Sequence, residues 1–555
     1  MSAVHSRSMS TPPVAPELSP STDAGPPPVD LAIGSFSNDP PWIVEPEAMP
    51  WREVVDSIRW LTRHDLPELT SARRLPDVRR AATVVADFGS AIGLWWATGR
   101  LRGKKGDRSA SRADLSRRLR VSIERLGPTY IKLAQIISSG DGLFPEELVS
   151  EFKKCRDQVP AQPFDVVRAT VEEDLGARLE DIFESFDEEP LAAASIAQVH
   201  AAVLRSGEPV VVKVQRTTVA GLVGKDIRVM AWVAPFLVGR LPFASLANPP
   251  ALVELFAETI SEELDFRLEA QNMLDVAATF VALGQRGYII PRPHPTLVTR
   301  RVLVMERLSG FSFDDVDAIR AAGVDTHDIV RTGMIGFIEG AVIEGIFHGD
   351  LHGGNLFVMP DGKVALLDFG ITGRMDDRKR RAFLRLMAGA TMSDVHMQIG
   401  ALRDLGALPL DTDIDAVIKD LGLDGPGLDP TIADPDEMIK EVQKIVEMLL
   451  GYGARMPKEL MLFVKNLVFL DGAISRLAPD LDIFAEITQI SMYFAQTHGE
   501  KLFAEVGVNP EEFEIDLTGV KDSIGLDRSV DRFTYRDLQE RRELIKTRFE
   551  KRGIS

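Results

Sequence analysis

The spacing of apolar residues divides the chain into helical and strand-like stretches. From about residue 50 to about residue 180 apolar positions recur every three or four residues, as in VSIERLGPTYIKLAQIISS, which predicts helices. The period then changes in AAASIAQVHAAVLRSGEPVVVKVQR, where SGEP separates two apolar, β-branched runs, as in a hairpin. One long helix is predicted over residues 251–283, followed by strand-like YIIPRP and RRVLVMERLSG. Beyond Gly310 the pattern is mostly helical, interrupted by a loop at HGDLHGGN and a strand at VALLDFG.

This order of elements predicts an α+β protein in which a small sheet-bearing lobe joins a larger, predominantly helical lobe. The first residues are rich in Pro and Ser and show no periodicity, so they are predicted to be disordered. We divide the chain into a disordered tail at 1–48, a helical segment at 49–120, a helical extension at 121–180, a sheet-bearing lobe at 181–310, a helical lobe at 311–480 and a helical C-terminal tail at 481–555.

Charge, cysteine content and the absence of long apolar runs limit the partners and compartments that we expect for the protein. The net charge of -19 argues against a nucleic-acid footprint over the whole molecule, so no nucleic-acid partner is predicted. The one cysteine, Cys155, cannot form an intramolecular disulfide, which favours a reducing compartment. We find no secretory signal and no run of about 18 apolar residues that could span a bilayer. We therefore expect a cytoplasmic protein whose contact with the inner face of a membrane, if it has one, is peripheral.

An aromatic segment near the N-terminus leaves two interpretations open. Trp95 and Trp96 end an apolar helix and lead into RLRGKKGDRSASRADLSRRLR, which is rich in Arg and Lys. Such a helix suits the headgroup region of an anionic membrane, where apolar burial and electrostatic attraction act together. It also suits a helix docked on its own core beside a solvated basic loop.

Two closely spaced motifs carry the chemistry. Asp350 and Asn355 lie five positions apart in HGDLHGGN, and Asp368 of the DFG sequence follows thirteen positions later. Phosphoryl transfer from a nucleotide needs a carboxylate to orient the attacking oxygen and oxygen ligands for Mg²⁺. Asp350 is the candidate for the first role, and Asn355 and Asp368 are the candidate Mg²⁺ ligands. This spacing is typical of the catalytic loop and DFG strand of protein kinases.

A lysine upstream completes the pattern. Lys213 ends the strand-like VVVK, as the phosphate-binding lysine does in kinases, and Glu269 on the predicted long helix is the candidate carboxylate to hold it. The apolar, hinge-like VLVMERL follows, with Met305 and Glu306 as nucleotide-binding candidates. Each motif alone is weak, but their order along the chain predicts one ATP and Mg²⁺ site.

The loop before Lys213 departs from ordinary protein kinases. No G-x-G-x-x-G is present, and LAAASIAQV occupies that position instead. Alanine carries a Cβ that penalises positive φ, so this loop should be stiffer than a glycine loop. The nucleotide-binding candidates of the loop are Leu191, Ala192, Ala193, Ala194, Ser195 and Val199.

At these residues the chain resembles the UbiB family of atypical kinases, the bacterial and mitochondrial proteins required for coenzyme Q biosynthesis. That family replaces the glycine loop with an alanine-rich AAAS sequence, present here at 192–195. Its K-x-G-Q motif corresponds to residues 132–135, and its E-x-D motif falls at Glu263 and Asp265. The resemblance runs from roughly Val121 to Met375.

The resemblance implies a protein-kinase-like two-lobe fold whose helical extension lies over the active site and blocks peptide substrates. It places Lys132 near the nucleotide and the acidic Glu263–Asp265 pair. It also implies Mg²⁺-dependent ATP binding and a slow ATPase or small-molecule kinase activity on an unknown, lipid-like acceptor, linked to quinone or other lipid metabolism at a membrane. Two departures are Ala134 in place of the motif glycine, and HGDLHGGN in place of D-P-H-P-G-N.

Two other functions remain open at the level of sequence. HGDLHGGN is also similar to the H-G-D motif of aminoglycoside and choline kinases, which phosphorylate small molecules, although that group lacks the alanine loop and the K-x-G-Q segment. The third hypothesis is an ATP-gated scaffold of a lipid-biosynthesis complex, in which hydrolysis serves only as a switch.

Overall fold

The fold is taken from a computed structural model of the protein. It describes residues 49–101, 108–138, 145–155, 160–238, 249–391, 394–423, 448–449, 451–454, 457–506, 521, 526–527 and 529–551. The tail predicted to be disordered, at residues 1–48, lies outside these ranges. Within them, no helix is long and apolar enough to cross a membrane.

Helices account for most of the described residues. They are α1 (Val55–Leu69), α2 (Val78–Leu101), α3 (Arg108–Leu126), α4 (Pro128–Ser138), α5 (Glu146–Phe152), α6 (Phe164–Leu175), α7 (Leu179–Ile182), α8 (Val219–Leu237), α9 (Pro249–Glu263), α10 (Phe266–Ala282), α11 (Val316–Ala321), α12 (Thr326–Glu339), α13 (Asp377–Thr391), α14 (Val395–Asp404), α15 (Ile414–Leu421), α16 (Lys458–Leu477), α17 (Ile483–Val506) and α18 (Tyr535–Lys551). A 3₁₀ turn precedes α1 at Pro50–Val54, and a π-helical turn at Gly340–Glu344 follows α12.

The strands are short and fall into three sheets. They are β1 (Phe183–Phe186), β2 (Ala192–Ala193), β3 (Ala197–Leu204), β4 (Pro209–Gln215), β5 (Tyr288–Ile289), β6 (Pro293–Val298), β7 (Val302–Glu306), β8 (Phe311–Ser312), β9 (Ile346–His348), β10 (Leu356–Val358), β11 (Val364–Leu366) and β12 (Thr372–Arg374). The largest sheet has the order β1-β3-β4-β7-β6, with β2 paired to β3, and all its pairings are antiparallel.

The β3–β4 hairpin fixes the direction of Lys213. Val210, Val212 and Val214 alternate along β4 and are buried in a core shared with α6. Because successive side chains of a strand point to opposite faces, Lys213 points to the other face of the sheet, toward α10. The hairpin predicted from the sequence is therefore present, and its register orients the lysine.

The prediction of one long helix over residues 251–283 is wrong, because the helix ends at Glu263 and a second helix begins at Phe266. Asp265 has φ -137° and ψ 104°, and its side chain accepts a hydrogen bond from the N–H of Arg267, which makes it the N-cap of α10. The apolar period continues through the break, so periodicity alone misses it. The consequence is that Glu263 and Glu269 lie on two different helices.

The helical extension shares a core with helices of the sheet-bearing lobe. Ile131 and Ala134 of α4 pack in one buried cluster with Ile227 of α8 and with Phe256 and Ile260 of α9. Ala134 is fully buried inside α4, where the family motif has glycine. Apolar packing therefore fixes α4 against α9, the helix that ends at Glu263.

The lobe beyond Gly310 contains more strand than the sequence predicts. A sheet of order β5-β11-β10-β8 and the pair β12–β9 flank the HGDLHGGN loop, whereas the sequence indicated a single strand. Strands of two or three residues are too short to show a period of two. They hold the loop between β9 and β10, with Phe337, Phe347 and Phe463 packed beneath it.

Substitution in the shared helical core tests the packing of the extension. Phe256→Ala removes a fully buried ring, and we expect the free energy of unfolding to fall by about 3–5 kcal/mol. Leu75→Ala is the control, because Leu75 is 84% exposed and its loss should change stability by less than about 0.5 kcal/mol. Urea denaturation measures both values, and equal effects would contradict the shared core.

Candidate active site

Lys213 contacts one carboxylate of its own lobe, Glu269, and one of the helical lobe, Asp368. Its Nζ lies 2.7 and 3.0 Å from the two carboxylate oxygens of Glu269 on α10 and 3.1 Å from Oδ1 of Asp368. It also lies 5.5 Å from the centre of the Phe266 ring. Although burial alone would lower the pKa of Lys213, Asp368 and Glu269 raise it, so the amine stays protonated. The structure thus brings together three residues from β4, α10 and the DFG turn.

Asp368 has an unusual backbone conformation that directs its side chain into the cleft. Its φ is +57°, the only positive φ of a non-glycine residue among the described residues. The side chain is 51% exposed. Burial tends to raise the pKa of Asp368, but Lys213 and Lys132 lower it to about 2. Asp368 is therefore a charged carboxylate in a strained turn, a combination that is common at functional sites.

His348 shapes the HGDLHGGN loop, called the catalytic loop after its counterpart in kinases, because both of its ring nitrogens are hydrogen-bonded to the protein. Its Nδ1 accepts a hydrogen bond from the N–H of Asp350 at 3.1 Å, and its Nε2 lies 3.0 Å from the carbonyl oxygen of Leu367. Because Nδ1 accepts, Nε2 carries the ring proton and donates it to that carbonyl. Burial lowers the pKa of His348, which keeps the ring neutral. His348 thereby links the loop to the strand that leads to Asp368.

Asn355 lies on the same loop as Asp350. Its Nδ2 donates to the backbone carbonyl of Asp350 at 3.0 Å, which turns the amide oxygen away from that carbonyl. An amide oxygen together with the exposed carboxylate of Asp368 fits Mg²⁺, which takes one or two protein oxygens and completes its shell with phosphates and water. Among the described residues no group of three or more His, Cys, Asp or Glu is placed to hold a metal ion by itself.

Two residues of α16 contact the catalytic loop and were missed by the sequence analysis. Lys465 Nζ donates to Oδ1 of Asp350. The neighbouring Asn466 accepts from the N–H of Leu351 at 3.0 Å and donates to the carbonyl oxygen of His348. Burial tends to raise the pKa of Asp350, but Lys465 and Lys132 hold it well below its ordinary value. The only signal in the sequence is a polar Lys-Asn pair inside the apolar run MLFVKNLVFL.

The extension reaches the cleft through Lys132 of α4. Its Nζ lies 3.0 Å from Oε1 of Glu263, and both side chains are largely buried. A Cβ added at Gly370 of the DFG turn would lie 3.3 Å from Cγ of Glu263, so this carboxylate borders the DFG turn. Burial raises the pKa of Glu263 to about 7, against the opposing effect of Lys132. Lys132 and Glu263 are therefore brought to the cleft.

Asp265 is placed differently from what the resemblance implies. Its carboxylate forms hydrogen bonds of 2.9 and 2.7 Å with the guanidinium of Arg267 and caps α10, instead of facing Lys132 together with Glu263. The break between α9 and α10 separates the two acids.

The alanine loop is anchored by an arginine that the sequence analysis did not single out. Ala192–Ala193 form β2 against β3, and the N–H of Ala194 donates to the carbonyl of Ala197. The side chain of Arg216 donates to the carbonyl oxygens of Ala194 and Pro160, each at 2.9 Å. Ser195 is buried at this turn, whereas Leu191 is exposed. Arg216 thus ties the loop to the segment that precedes α6.

The hinge-like candidates lie at the end of β7. Met305 pairs with Val211 of β4, and the N–H of Glu306 donates to the carbonyl of Arg292 at 2.9 Å. Glu306 is buried, and its carboxylate accepts from the N–H of Arg292. These contacts position the strand that leads from the sheet-bearing lobe to the helical lobe.

Asn272 of α10 connects the DFG turn with the N-terminal segment. Its Nδ2 donates to the carbonyl oxygen of Phe369 at 2.9 Å. Its Oδ1 accepts from Arg374 at 2.7 Å and from Arg59 of α1 at 3.2 Å. Both arginines also contact Asp275, one turn further along α10. Three segments distant in the sequence, α1, α10 and residues 369–374, therefore meet at one amide.

Comparison with known proteins identifies the class. The description "ABC1 atypical kinase-like domain" matches residues 154–399. An uncharacterized protein of Mycobacterium tuberculosis strain H37Rv is 36% identical over 67% of this chain and 76% of its own length. The probable protein kinase UbiB of Aliivibrio fischeri is 30% identical over 67% of this chain and 69% of its own length.

The fold and the cleft are those of an atypical kinase-like protein. The chain belongs to the ABC1 family of atypical kinase-like proteins, which includes UbiB. The resemblance drawn from the sequence motifs is thereby confirmed, and so is the α+β, kinase-like fold class. A solved structure, the Rv3197–erythromycin complex from Mycobacterium tuberculosis, aligns with 59% of this chain and 89% of its own, at 20% identity and a TM-score of 0.35.

Removal of the lysine cation tests the energetics of the cleft. Lys213→Met leaves the buried Glu269 carboxylate without its cation, and we expect a loss of about 3–5 kcal/mol in the free energy of unfolding. Adding Glu269→Gln should restore part of that loss, because the buried charge disappears. Lys363→Met is the control, since it breaks a surface pair with Asp361 that should contribute about 0–1 kcal/mol. Equal losses in the two lysine variants by urea denaturation would count against this energetic role.

Proposed function

We propose that the protein binds Mg²⁺-ATP between its lobes and uses it as a UbiB-like atypical kinase or ATPase in isoprenoid-quinone or related lipid metabolism. The observation that carries this proposal is the convergence of Lys213, Glu269 and Asp368, with Asp350 and Asn355 on the adjoining loop. Family membership supports the same class over the aminoglycoside or choline kinase alternative.

Each residue takes one role in phosphoryl transfer. Lys213, held by Glu269, binds the α- and β-phosphates. Asp368 and Asn355 hold Mg²⁺, which when bound neutralises charge on the phosphate oxygens. Asp350, whose pKa lies well below its ordinary value, stays ionised and orients the attacking hydroxyl or water by accepting its hydrogen bond. The alanine loop, from Leu191 to Val199, covers the nucleotide.

The extension favours a small acceptor over a peptide. Lys132 on α4 is bonded to Glu263, next to the DFG turn, and α4 is fixed by its apolar core. A peptide that approached Asp350 from this side would have to displace the buried pair of Lys132 and Glu263. We therefore propose that α4 restricts the acceptor to water or a small, lipid-like molecule. The same contacts suit an ATP-gated scaffold, in which nucleotide binding is transmitted through α4.

The Mg²⁺ role of Asp368 is testable by nucleotide binding. Asp368→Asn should weaken Mg²⁺-ATP binding at least about tenfold and abolish Mg²⁺-dependent release of phosphate, because a charged metal ligand is lost. Asp361→Asn is the matched control, since Asp361 is a nearby acid that pairs with Lys363. Calorimetry with and without Mg²⁺ measures the difference. Wild-type affinity and turnover in Asp368→Asn would refute the proposal.

A second part of the proposal concerns a membrane surface. Trp95 of α2 donates to the carbonyl of Ser111 on α3, so this ring is docked on the protein itself. Val78, Val85, Ile92 and Trp96 are exposed, and their spacing places them on one face of α2. Basic sequence follows this helix. We propose that this apolar face rests on an anionic membrane surface, which would bring the cleft near lipid-like acceptors.

Liposome flotation tests the membrane contact. Val85→Asp combined with Ile92→Asp should reduce binding to vesicles containing phosphatidylglycerol, because two charges enter the apolar face. Ser90→Asp is the control, since Ser90 is exposed on the same helix but off that face. Wild-type protein should bind neutral phosphatidylcholine vesicles more weakly. If the double variant binds as well as the control variant does, this face of α2 is not the contact.

A further inference from the structure

We propose that Lys465 is a positioning residue for the phosphoryl-transfer step, which it supports by holding and neutralising the Asp350 carboxylate. This inference rests on the proposed function, since it assigns a supporting residue to the same site. Lys465 lies in α16, beyond the residues that match the family description. The catalytic loop is thus completed by a helix that no motif in the sequence identifies.

The loop itself supplies no lysine or arginine for Asp350. From Leu351 to Asn355 the sequence is LHGGN, and the next lysine along the chain is Lys363, which pairs with Asp361. The cation comes instead from α16, 115 positions away, and reaches Oδ1 of Asp350 directly. Side-chain exposures of 21% for Lys465 and 17% for Asp350 place the pair at a half-buried site, where the attraction is less screened than at the surface.

The other lysines of the cleft are bonded to other acids. Lys213 contacts Glu269 and Asp368, and Lys132 contacts Glu263. Lys465 is the cation whose Nζ is hydrogen-bonded to Asp350 within the part of the chain that the structure describes. Lys465 is therefore a separate cation from Lys213, the lysine proposed to bind the phosphates. It can stay hydrogen-bonded to Asp350 while Lys213 binds them.

Helix α16 holds Lys465 in a fixed place. Leu462 and Phe463, one turn before it, are buried in the main core. Asn466, immediately after it, is fully buried and bonds to both His348 and Leu351, the residues on either side of the Gly349–Asp350 pair. Two consecutive side chains of one helix therefore hold the catalytic loop: Lys465 bonds to the Asp350 carboxylate, and Asn466 bonds to the backbone. Precision of this kind is what orientation of a reacting group requires.

The contact has a defined place in the reaction. The acceptor oxygen attacks the γ-phosphorus of ATP, the bond between that phosphorus and the β–γ bridging oxygen breaks, and its electron pair stays on ADP. The acceptor proton passes from its hydrogen bond with Asp350 to solvent or to the phosphate product. An unneutralised Asp350 would repel the phosphoryl oxygens as the acceptor approaches. Lys465 reduces that repulsion while it keeps the carboxylate turned toward the acceptor.

The first experiment separates turnover from nucleotide binding. Lys465→Met in the full chain should lower the turnover number about tenfold to a hundredfold, the effect of one charge-assisted hydrogen bond. Its Mg²⁺-ATP affinity should stay within about threefold of wild type, because Lys465 acts on the acceptor side. Lys465→Arg should restore part of the turnover. Equal loss of affinity and turnover, or no loss of turnover, would overturn the inference.

Lys458→Met is the matched control. Lys458 lies on the same helix and pairs with Glu258 and Glu262 of α9, so its loss also leaves acids without a cation. We expect both variants to lose similar stability in thermal unfolding but only Lys465→Met to lose turnover. If Lys458→Met loses turnover equally, the effect is structural and the inference fails.

A double substitution tests whether Lys465 acts through Asp350. In an Asp350→Asn background, Lys465→Met should change the residual turnover by less than about twofold, because its target charge is gone. A further loss as large as in the wild-type background would overturn the positioning role, since Lys465 would then act on the phosphates directly.

A readout without turnover keeps the proposed function and this inference distinguishable. In nucleotide-free protein, amide hydrogen exchange of residues 348–355 should be faster in Lys465→Met than in Lys458→Met, because the loop loses a tether. Unchanged exchange would overturn the inference. Absence of Mg²⁺-dependent nucleotide binding in wild type would refute the proposed function and leave the exchange result intact.

Discussion

The ion pair between Lys213 and Glu269 is the contact on which the rest of the cleft depends. Both side chains are largely buried, so neither charge is stable there without the other. The pair requires the β4 register that turns Lys213 away from the valine face, and it requires α10 to begin at Phe266 so that Glu269 faces the sheet. The alternation of a strand and the capping of a helix thereby determine where Lys213, the lysine that we propose binds phosphates, lies.

The sequence identified candidate site residues where polar side chains lie close together within short apolar segments. Asp350, Asn355 and Asp368 stand out because they are polar residues between short buried strands, and their spacing reflects one loop and one turn. Lys213 stands out as a charged residue among the valines of β4. Glu269 was found from the order of elements, and it lies on the second of the two helices into which the predicted one divides. The two-lobe arrangement followed from that order, and its kinase-like character followed from the motifs and the family resemblance.

The contacts that escaped prediction join residues far apart in the chain. Lys465 and Asn466 look like ordinary polar residues of an amphipathic helix until the fold sets them beneath the catalytic loop. Arg216 and Asn272 likewise bond to backbone carbonyls, which carry no sequence signal at all. The break before α10 was missed because a capping aspartate can sit inside a continuous apolar period. Sequence patterns report on local periodicity, whereas these side chains are selected by tertiary geometry.

The shared amide of Asn272 links α1 to the cleft that contains Lys213 and Asp368. Arg59 reaches that amide from α1, while Met49 and Trp51 are buried in the same core as α10. Truncation of the residues up to Leu69 would remove these contacts. Helix α10 would then be freer to rotate, which would turn Glu269 away from the sheet. Detachment of α1 from the rest of the protein, whether by a protease, a partner or a lipid surface, would therefore alter the position of Lys213, the residue that we propose binds the ATP phosphates.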